Sequence, residues 1–457
     1  MKTTPRLHLK QPAALLLSLA SFGLSHLAFA QTTTWNGANL ADWNTGTNWS
    51  GSAVPSGAVT VTINNSTTSF ISATAPTLTG NSINVSNAGS GFSVLSGGSL
   101  TGNQLTLNSG SNGTSVAGGS LTLNGNANLG SNATTATMAV SSGTVDFKAA
   151  LHVGSNTTAT TTARGTLTIS GGTVTQSSTS NALNLGRGNA SAGTLNITGG
   201  TVELRNTQTS NLGQMARIGG EGGTGVINQS AGNLTSAGGM VFGLNTNSGT
   251  TGVNGGSGTL NLSGGSFSTS GILMLGNNTG TSGTINFSGG NFTATNIQNG
   301  TGTARIGITG NAGGSSFSAT SIVLTSGASL AFNIDKNLGI NTIQITGAGT
   351  AASIASFSGT LFEFNTVGAF TEADIGQTFN LVRWTNGMMS VTGSALSNLS
   401  STSFGNLQVV SDGGTGSFLQ ATLLTASAIP EPSSYAAIVG VFIGGCVLMC
   451  RRRSQSA

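Results

Sequence analysis

Of 457 residues only two are cysteine, Cys446 and Cys450, and both lie in an apolar stretch near the C-terminus. The rest of the chain has no thiol, which excludes structural disulfides and thiolate metal sites there. Histidine is nearly as scarce: His8, His26 and His152 are the whole set. A histidine metal cluster is excluded, and a Ser-His-Asp triad would have to run through His152. Charged residues make up 5% of the chain, against about 25% in ordinary soluble proteins, so serine, threonine and asparagine must supply the solubility. Proline is missing from Thr77 to Ile429, as a long hydrogen-bonded β-structure prefers.

The two ends differ from the body. Lys2, Arg6 and Lys10 precede an apolar core beginning at Ala13, and Ala28-Phe29-Ala30 gives a small-x-small pattern before Gln31. Residues 1–30 therefore read as a cleaved secretory signal, which implies Sec export. At the other end, Pro430-Glu431-Pro432 precedes the uncharged run from Ser433 to Cys450, and Arg451-Arg452-Arg453 follows it. The prolines hold the glutamate in extended backbone. Eighteen residues of helix span roughly 27 Å, just enough for a single transmembrane helix over 433–450. The arginines would hold the extreme C-terminus on the cytoplasmic side. This tail, 429–457, resembles the PEP-CTERM sorting signal. The resemblance implies recognition by an exosortase in an exopolysaccharide-producing Gram-negative bacterium.

Six of the fourteen basic residues and one of the ten acidic residues lie in these two signals. The body keeps eight basic and nine acidic groups, net −1. It has no clustered basic face, and nucleic acid is excluded as a partner.

The middle of the chain repeats itself. Gly165-Thr-Leu-Thr-Ile-Ser-Gly-Gly-Thr-Val174 returns as Gly193-Thr-Leu-Asn-Ile-Thr-Gly-Gly-Thr-Val202, and further copies start at Gly225, Gly258 and Gly283. Aliphatics alternate with polar residues, so each copy holds short strands with one buried face. Such a unit cannot bury that face alone, but stacked units can. The pattern predicts an all-β fold: a right-handed parallel β-helix of about seven coils, a rod of roughly 34 Å at ~4.8 Å per coil. Gly-Gly pairs are assigned to the corners. An antiparallel hairpin array would favour Asn-Gly or Asp-Gly turns instead. The implied division is a cap with degenerate first coils over 31–118, solenoid over 119–328 and a β-rich C-terminal cap over 329–428.

Register predicts two columns. Asn196, Asn228, Asn261 and Asn286 fall between paired inward aliphatics and would stack into a hydrogen-bonded ladder. Gly154, Gly186, Gly219, Gly243, Gly276 and Gly307 would form a corner column.

The flanks resemble known capping segments. Trp35-Asn36-Gly37, Trp43 and Asn48-Trp49-Ser50-Gly51 resemble the opening of autotransporter-associated β-strand passengers. That resemblance implies that tryptophans cover the open end of the solenoid; stacking of Trp35, Trp43 and Trp49 on sugar rings is the alternative. The stretch from Ser329 to Leu424 resembles the closing segment of repeat-rich PEP-CTERM proteins.

Catalytic equipment is thin. Asp146 and Glu203 follow the equivalent Val145 and Val202 and would share a column two coils apart, roughly 10 Å. That exceeds the 6.5–9.5 Å of inverting glycosidases. Asp146-x-Lys148 and Glu203-x-Arg205 read more simply as surface charge pairs. His152, Arg217 and Arg305, aligned with Asn184 and Met274, suggest a dilute cationic stripe for an acidic polysaccharide. Gly222-Gly223-Thr224-Gly225 lacks the aspartate of a calcium turn and the lysine of a phosphate loop. No metal site, cofactor or enzymatic activity is implied. The expectation is an exported structural protein of the cell surface or exopolysaccharide matrix, with an adhesin or carbohydrate-binding module second and a lyase or hydrolase third.

Overall fold

The fold is given by a computed structural model that describes residues 31–79, 82–108, 110–131, 134–155, 162–179, 183–245, 255–310, 313–398 and 403–426. Ala28 and Ala30 of the predicted cleavage site, Pro430-Glu431-Pro432, the span 433–450 and Arg451–Arg453 lie outside these residues. Among the described residues no helix is long and apolar enough to cross a membrane.

The described chain is nearly all β and forms a long parallel sheet system wound as a solenoid with three faces. The first sheet stacks Gln31–Thr34, Val59–Ile63, Ser82–Val85, Gln104–Leu107, Ala127–Leu129, Leu151–Val153, Leu183–Arg187, Ala216–Gly220 and Met240–Leu244. It continues through the second halves of Ser266–Leu275, Asn291–Asn299 and Ser316–Leu324 and ends at Ala355–Phe357. These are thirteen levels, roughly 58 Å of rod at ~4.8 Å per step. The rod is longer than the seven coils that the repeat itself marks. Parallel stacking begins at Gln31 and, in the second sheet, persists to Ala395–Asn398. Coils over 31–118 and beyond 329 keep inward aliphatics but lose the Gly-Thr-Leu wording, because only side-chain direction is needed to stack.

The second sheet is best seen in Arg164–Ile169, Ala192–Ile197, Thr224–Gln229, Ser257–Leu262 and Ser282–Phe287. Leu167, Leu195, Ile227, Leu260 and Ile285 superpose inward, each at most 1% exposed. The third sheet brings Val145, Val174, Val202, Leu234, Phe267, Phe292 and Phe317 into one inward column. Its last three rings stack with centroids 5.1 and 4.1 Å apart.

The corner between the second and third sheets is made by Gly172, Gly200, Gly232, Gly265 and Gly290, all at φ between 68° and 80°. A side chain there would be strained by φ and would also meet the coil beneath; a Cβ on Gly200 would lie 2.6 Å from the Gly172 carbonyl. The predicted second corner column is present in Gly154, Gly186, Gly219, Gly243 and Gly276, all with positive φ, and extends back to Gly130. Gly307 does not belong to it. Ile306 stacks on Ile285 in the second sheet, which places Gly307 opposite Asn286. The strand Asn291–Asn299 runs straight from the third sheet into the first, with Asn299 at the level of Leu275. The corner that follows it is held by Gly300, whose N–H bonds the Leu275 carbonyl as that of Gly276 bonds Phe242, but Gly300 has no positive φ.

At the C-terminal end the direction reverses. Ser417–Thr425 pairs antiparallel with both Thr378–Trp384 and Ser403–Ser411.

Candidate functional site

Three predicted features can now be placed. The first is the tryptophan group. Trp35, Trp43 and Trp49 are 1%, 0% and 1% exposed. Trp49 meets Trp35 edge-on at 4.9 Å and Trp43 at 4.7 Å. The Trp49 Nε1 donates to the Trp43 carbonyl at 2.8 Å, and the Trp35 Nε1 donates to Thr67 Oγ1 at 3.0 Å. Stacking on a sugar needs an open ring face, and these indoles offer none. The alternative reading, glycan contact by these three residues, is corrected: they are core residues at the first coils.

The second is the asparagine column. Asn228 Nδ2 donates to Asn196 Oδ1 at 2.9 Å, Asn261 Nδ2 to Asn228 Oδ1 at 2.8 Å, and Asn286 Nδ2 to Asn261 Oδ1 at 2.8 Å. The ladder forms because outward residues of superposed parallel strands lie about 4.8 Å apart, within amide reach. It has a direction: every donor points toward the N-terminal end. The last acceptor, Asn286 Oδ1, faces the Arg305 guanidinium, whose Nη1 lies 3.5 Å away. A cation at the acceptor end is the charge that this polarity favours. Gly307 leaves room for it, since a Cβ there would sit 2.9 Å from Arg305 Nη1. Arg305 is also tied to Glu363, two levels further on, at 3.4 Å.

Asn228 and Asn261 each spend one of two N–H groups and one of two lone pairs along the ladder, so at least one of each remains at their coils. Beside the ladder runs a second track, Thr198, Ser230 and Ser263. The two tracks enclose a groove of about 360 Å³ that starts at Thr168 and has no charged residue in its lining. Further along the same sheet, a hollow of about 490 Å³ is lined by Thr284, Ser329, Arg305 and Glu363 among others.

The third feature is the cationic stripe, which divides. His152, Asn184 and Arg217 stack directly in the first sheet, followed by Val241 and Met274. Arg305 lies on the second sheet instead, between Thr284 and Ser329, because the coil was shortened before it. Burial, reinforced by the Arg187 and Arg217 charges, pushes His152 down to about 4, so the imidazole is neutral near pH 7. Burial and then Arg187 also lower Arg217, while Glu221 opposes the shift. Arg187 and Glu221 form a two-point ion pair at 3.0 and 3.2 Å. Sequence reasoning missed that pair, although the corner glycines Gly186 and Gly219 could have aligned it.

Asp146 and Glu203 do occupy one outward column of the third sheet, with Thr175 between them. Asp146 accepts from the Ser177 hydroxyl, and Glu203 pairs with Arg205 at 2.7 Å. Neither is set up as an acid facing a base.

Compared with protein-family models, with curated proteins and with solved structures, the chain matches none.

Proposed function

We propose that this chain is an exported, non-enzymatic structural protein of the cell surface or exopolysaccharide matrix. In this account it is a right-handed solenoid, delivered by Sec through residues 1–30. Its tail crosses the inner membrane over 433–450 and is sorted at Pro430-Glu431-Pro432 by an exosortase, with Arg451–Arg453 on the cytoplasmic side. The mature surface holds polysaccharide through many weak, uncharged contacts.

The observation that carries the contact is the directed asparagine ladder with its parallel hydroxyl track. A free donor and a free acceptor recur from coil to coil along the ladder, at about 4.8 Å, an interval at which an extended glycan can present hydroxyls. The delivery rests on the order of motifs in the tail. The absence of catalysis is supported by the engagement of Asp146 with Ser177 and of Glu203 with Arg205.

Two measurements test this. Intact mass of the exported protein, from cells with and without the exosortase, should show a chain ending near Pro430–Pro432 only when the enzyme is present. A full-length C-terminus in both would leave a plain membrane anchor. Retention of the protein on its producer's neutral exopolysaccharide should fall at least threefold when Asn196, Asn228 and Asn261 are all changed to alanine; unchanged retention by a folded variant would remove the groove from the account.

A further inference from the structure

The exported body has eight basic residues, all described. Five are ion-paired: Arg187, Arg205, Arg305, Lys336 and Arg383. Of the other three, Lys148 and Arg164 are exposed, where water solvates them. Among the described residues Arg217 alone of these cations is half-buried with neither an ion pair nor a hydrogen-bond acceptor, and its Nε is buried without a partner.

Its surroundings are partly dry. Immediately along the same outer face, Met215, Val241 and Leu244 form an apolar cluster of their own, flanked by Leu212, Ile272 and Met274. The segment carrying Leu212 and Met215 is pinned by Asn206, whose Nδ2 donates to the Gln214 carbonyl at 2.8 Å. On the other side, two levels down the column, stands His152, whose Nδ1 is also buried without a partner. Asn184 lies between them. The nearest carboxylate, Glu221, is taken by Arg187. The stretches 156–161, 180–182 and 246–254, which adjoin these strands in sequence, contain no Asp or Glu. A half-buried guanidinium with five donors, whose one nearby carboxylate is shared with Arg187, is costly to the fold by itself.

We propose that the outer face of the first sheet between His152 and Arg217 binds one oxyanion group, the carboxylate or sulfate of an acidic sugar, with Arg217 as its counter-charge. The group sits at the level of Asn184, about one coil rise from each neighbour. It takes a charge-assisted contact from the terminal guanidinium nitrogens, strengthened by the low-dielectric wall of the apolar cluster. His152 is neutral there and presents a polar neighbour without adding charge. Arg187 and Glu221 cancel at the rim. This site lies on a different face from the asparagine groove and does not depend on it.

The test uses the full-length chain and the imidazole resonances of His152, identified by their loss in His152→Gln. Titration with sulfate, with monomeric glucuronate and with oligogalacturonate should give a saturable shift, with dissociation constants on the order of millimolar for the single anions. Arg217→Gln should weaken binding at least tenfold, Arg217→Lys should restore part of it, and Arg164→Gln should leave it unchanged. Unmoved indole N–H signals of Trp35, Trp49 and Trp384 would certify that each variant is folded. A missing shift, an undiminished one in Arg217→Gln, or an equal loss in Arg164→Gln would overturn the site. Tighter binding of the oligomer than of glucuronate, at equal carboxylate concentration, supports a glycan-borne group; equal affinity would overturn that part and leave a site for free anions.

Discussion

The two ends of the solenoid are closed by different physics. At the N-terminal end the closure is local and, among the described residues, without an ion pair; its one carboxylate, Asp42, accepts from the Asn44 N–H at 3.0 Å. Trp35, Trp43 and Trp49 come from fifteen consecutive residues and fill the mouth of the first coils, where Trp43 also meets Phe92 at 6.1 Å. The turn that carries Trp49 folds back over the first strand: Ser50 N donates to the Thr34 carbonyl at 2.9 Å, and Thr34 N to Ser50 Oγ at 3.0 Å. At the C-terminal end the closure is assembled from distant segments and uses charge. An antiparallel pair replaces the next coil, Arg383 reaches Asp412 at 3.1 Å, and Lys336 reaches Asp374 at 2.9 Å. Both designs solve the same problem, an exposed strand edge that would pair with another chain. The difference teaches where this sparsely charged protein spends its ions. Among the described residues three of the five ion pairs involve the last coils, and none touches the first.

The largest separation of the two ends should come from Trp43→Ala. Removing a fully buried indole costs about 3–5 kcal/mol. Hydrogen exchange should show the first coils opening while the strands around Trp384 stay protected. Equal loss of protection along the whole rod would mean that the ends are not independent. Next in size is Asn228→Ala, which breaks two rungs and should cost about 1–2 kcal/mol at mid-rod, read as a lower urea midpoint. If its effect matched Trp43→Ala, the ladder rather than the caps would limit stability. The smallest effect is acid loosening of the C-terminal end alone. The Thr371 backbone N–H, then Lys336 and the Thr371 hydroxyl, hold Asp374 down at about 2. The Gly414 N–H and then Arg383 lower Asp412. A carboxylate depressed in the folded state contributes stability above its ordinary pKa of 3.8 and loses it as pH falls toward about 2. Over that interval the Trp384 indole N–H, which donates to the Gly347 carbonyl, should broaden or shift. The Trp35 and Trp49 signals should not, and their joint loss would break the contrast.

Much of the middle was legible because repetition writes register directly. Equal spacing within the Gly-Thr-Leu-x-Ile segment puts Asn196, Asn228, Asn261 and Asn286 at one height, and no tertiary knowledge is needed to stack them. The same logic placed Asp146 over Glu203. It failed at Arg305 and Gly307, where the Arg-Ile-Gly wording of a first-sheet strand end reappears one face later, in Thr303–Thr309 on the second sheet. It also undercounted the coils: Val61, Ile83 and Leu105 stack inward as well as any repeat member, but burial constrains their polarity and not their neighbours. The Arg305–Glu363 pair spans 58 residues and depends on that shortened coil, so it could not be reached by spacing. Arg217 was visible as a cation, but its isolation appears only once the other cations are found either ion-paired or exposed to water.

The winding of this chain also determines how it would answer a pull. Strands run across the rod, so tension applied through the two termini peels coils from an end instead of shearing them all together. From Ala127 to Leu151 one turn takes 24 residues, and from Leu151 to Leu183 it takes 32. Released and drawn straight, each turn yields roughly 80–110 Å of slack, many times the height that it occupied when wound. A matrix component built this way would lengthen in steps under load, absorb work at each one and rewind from whichever turns stayed closed.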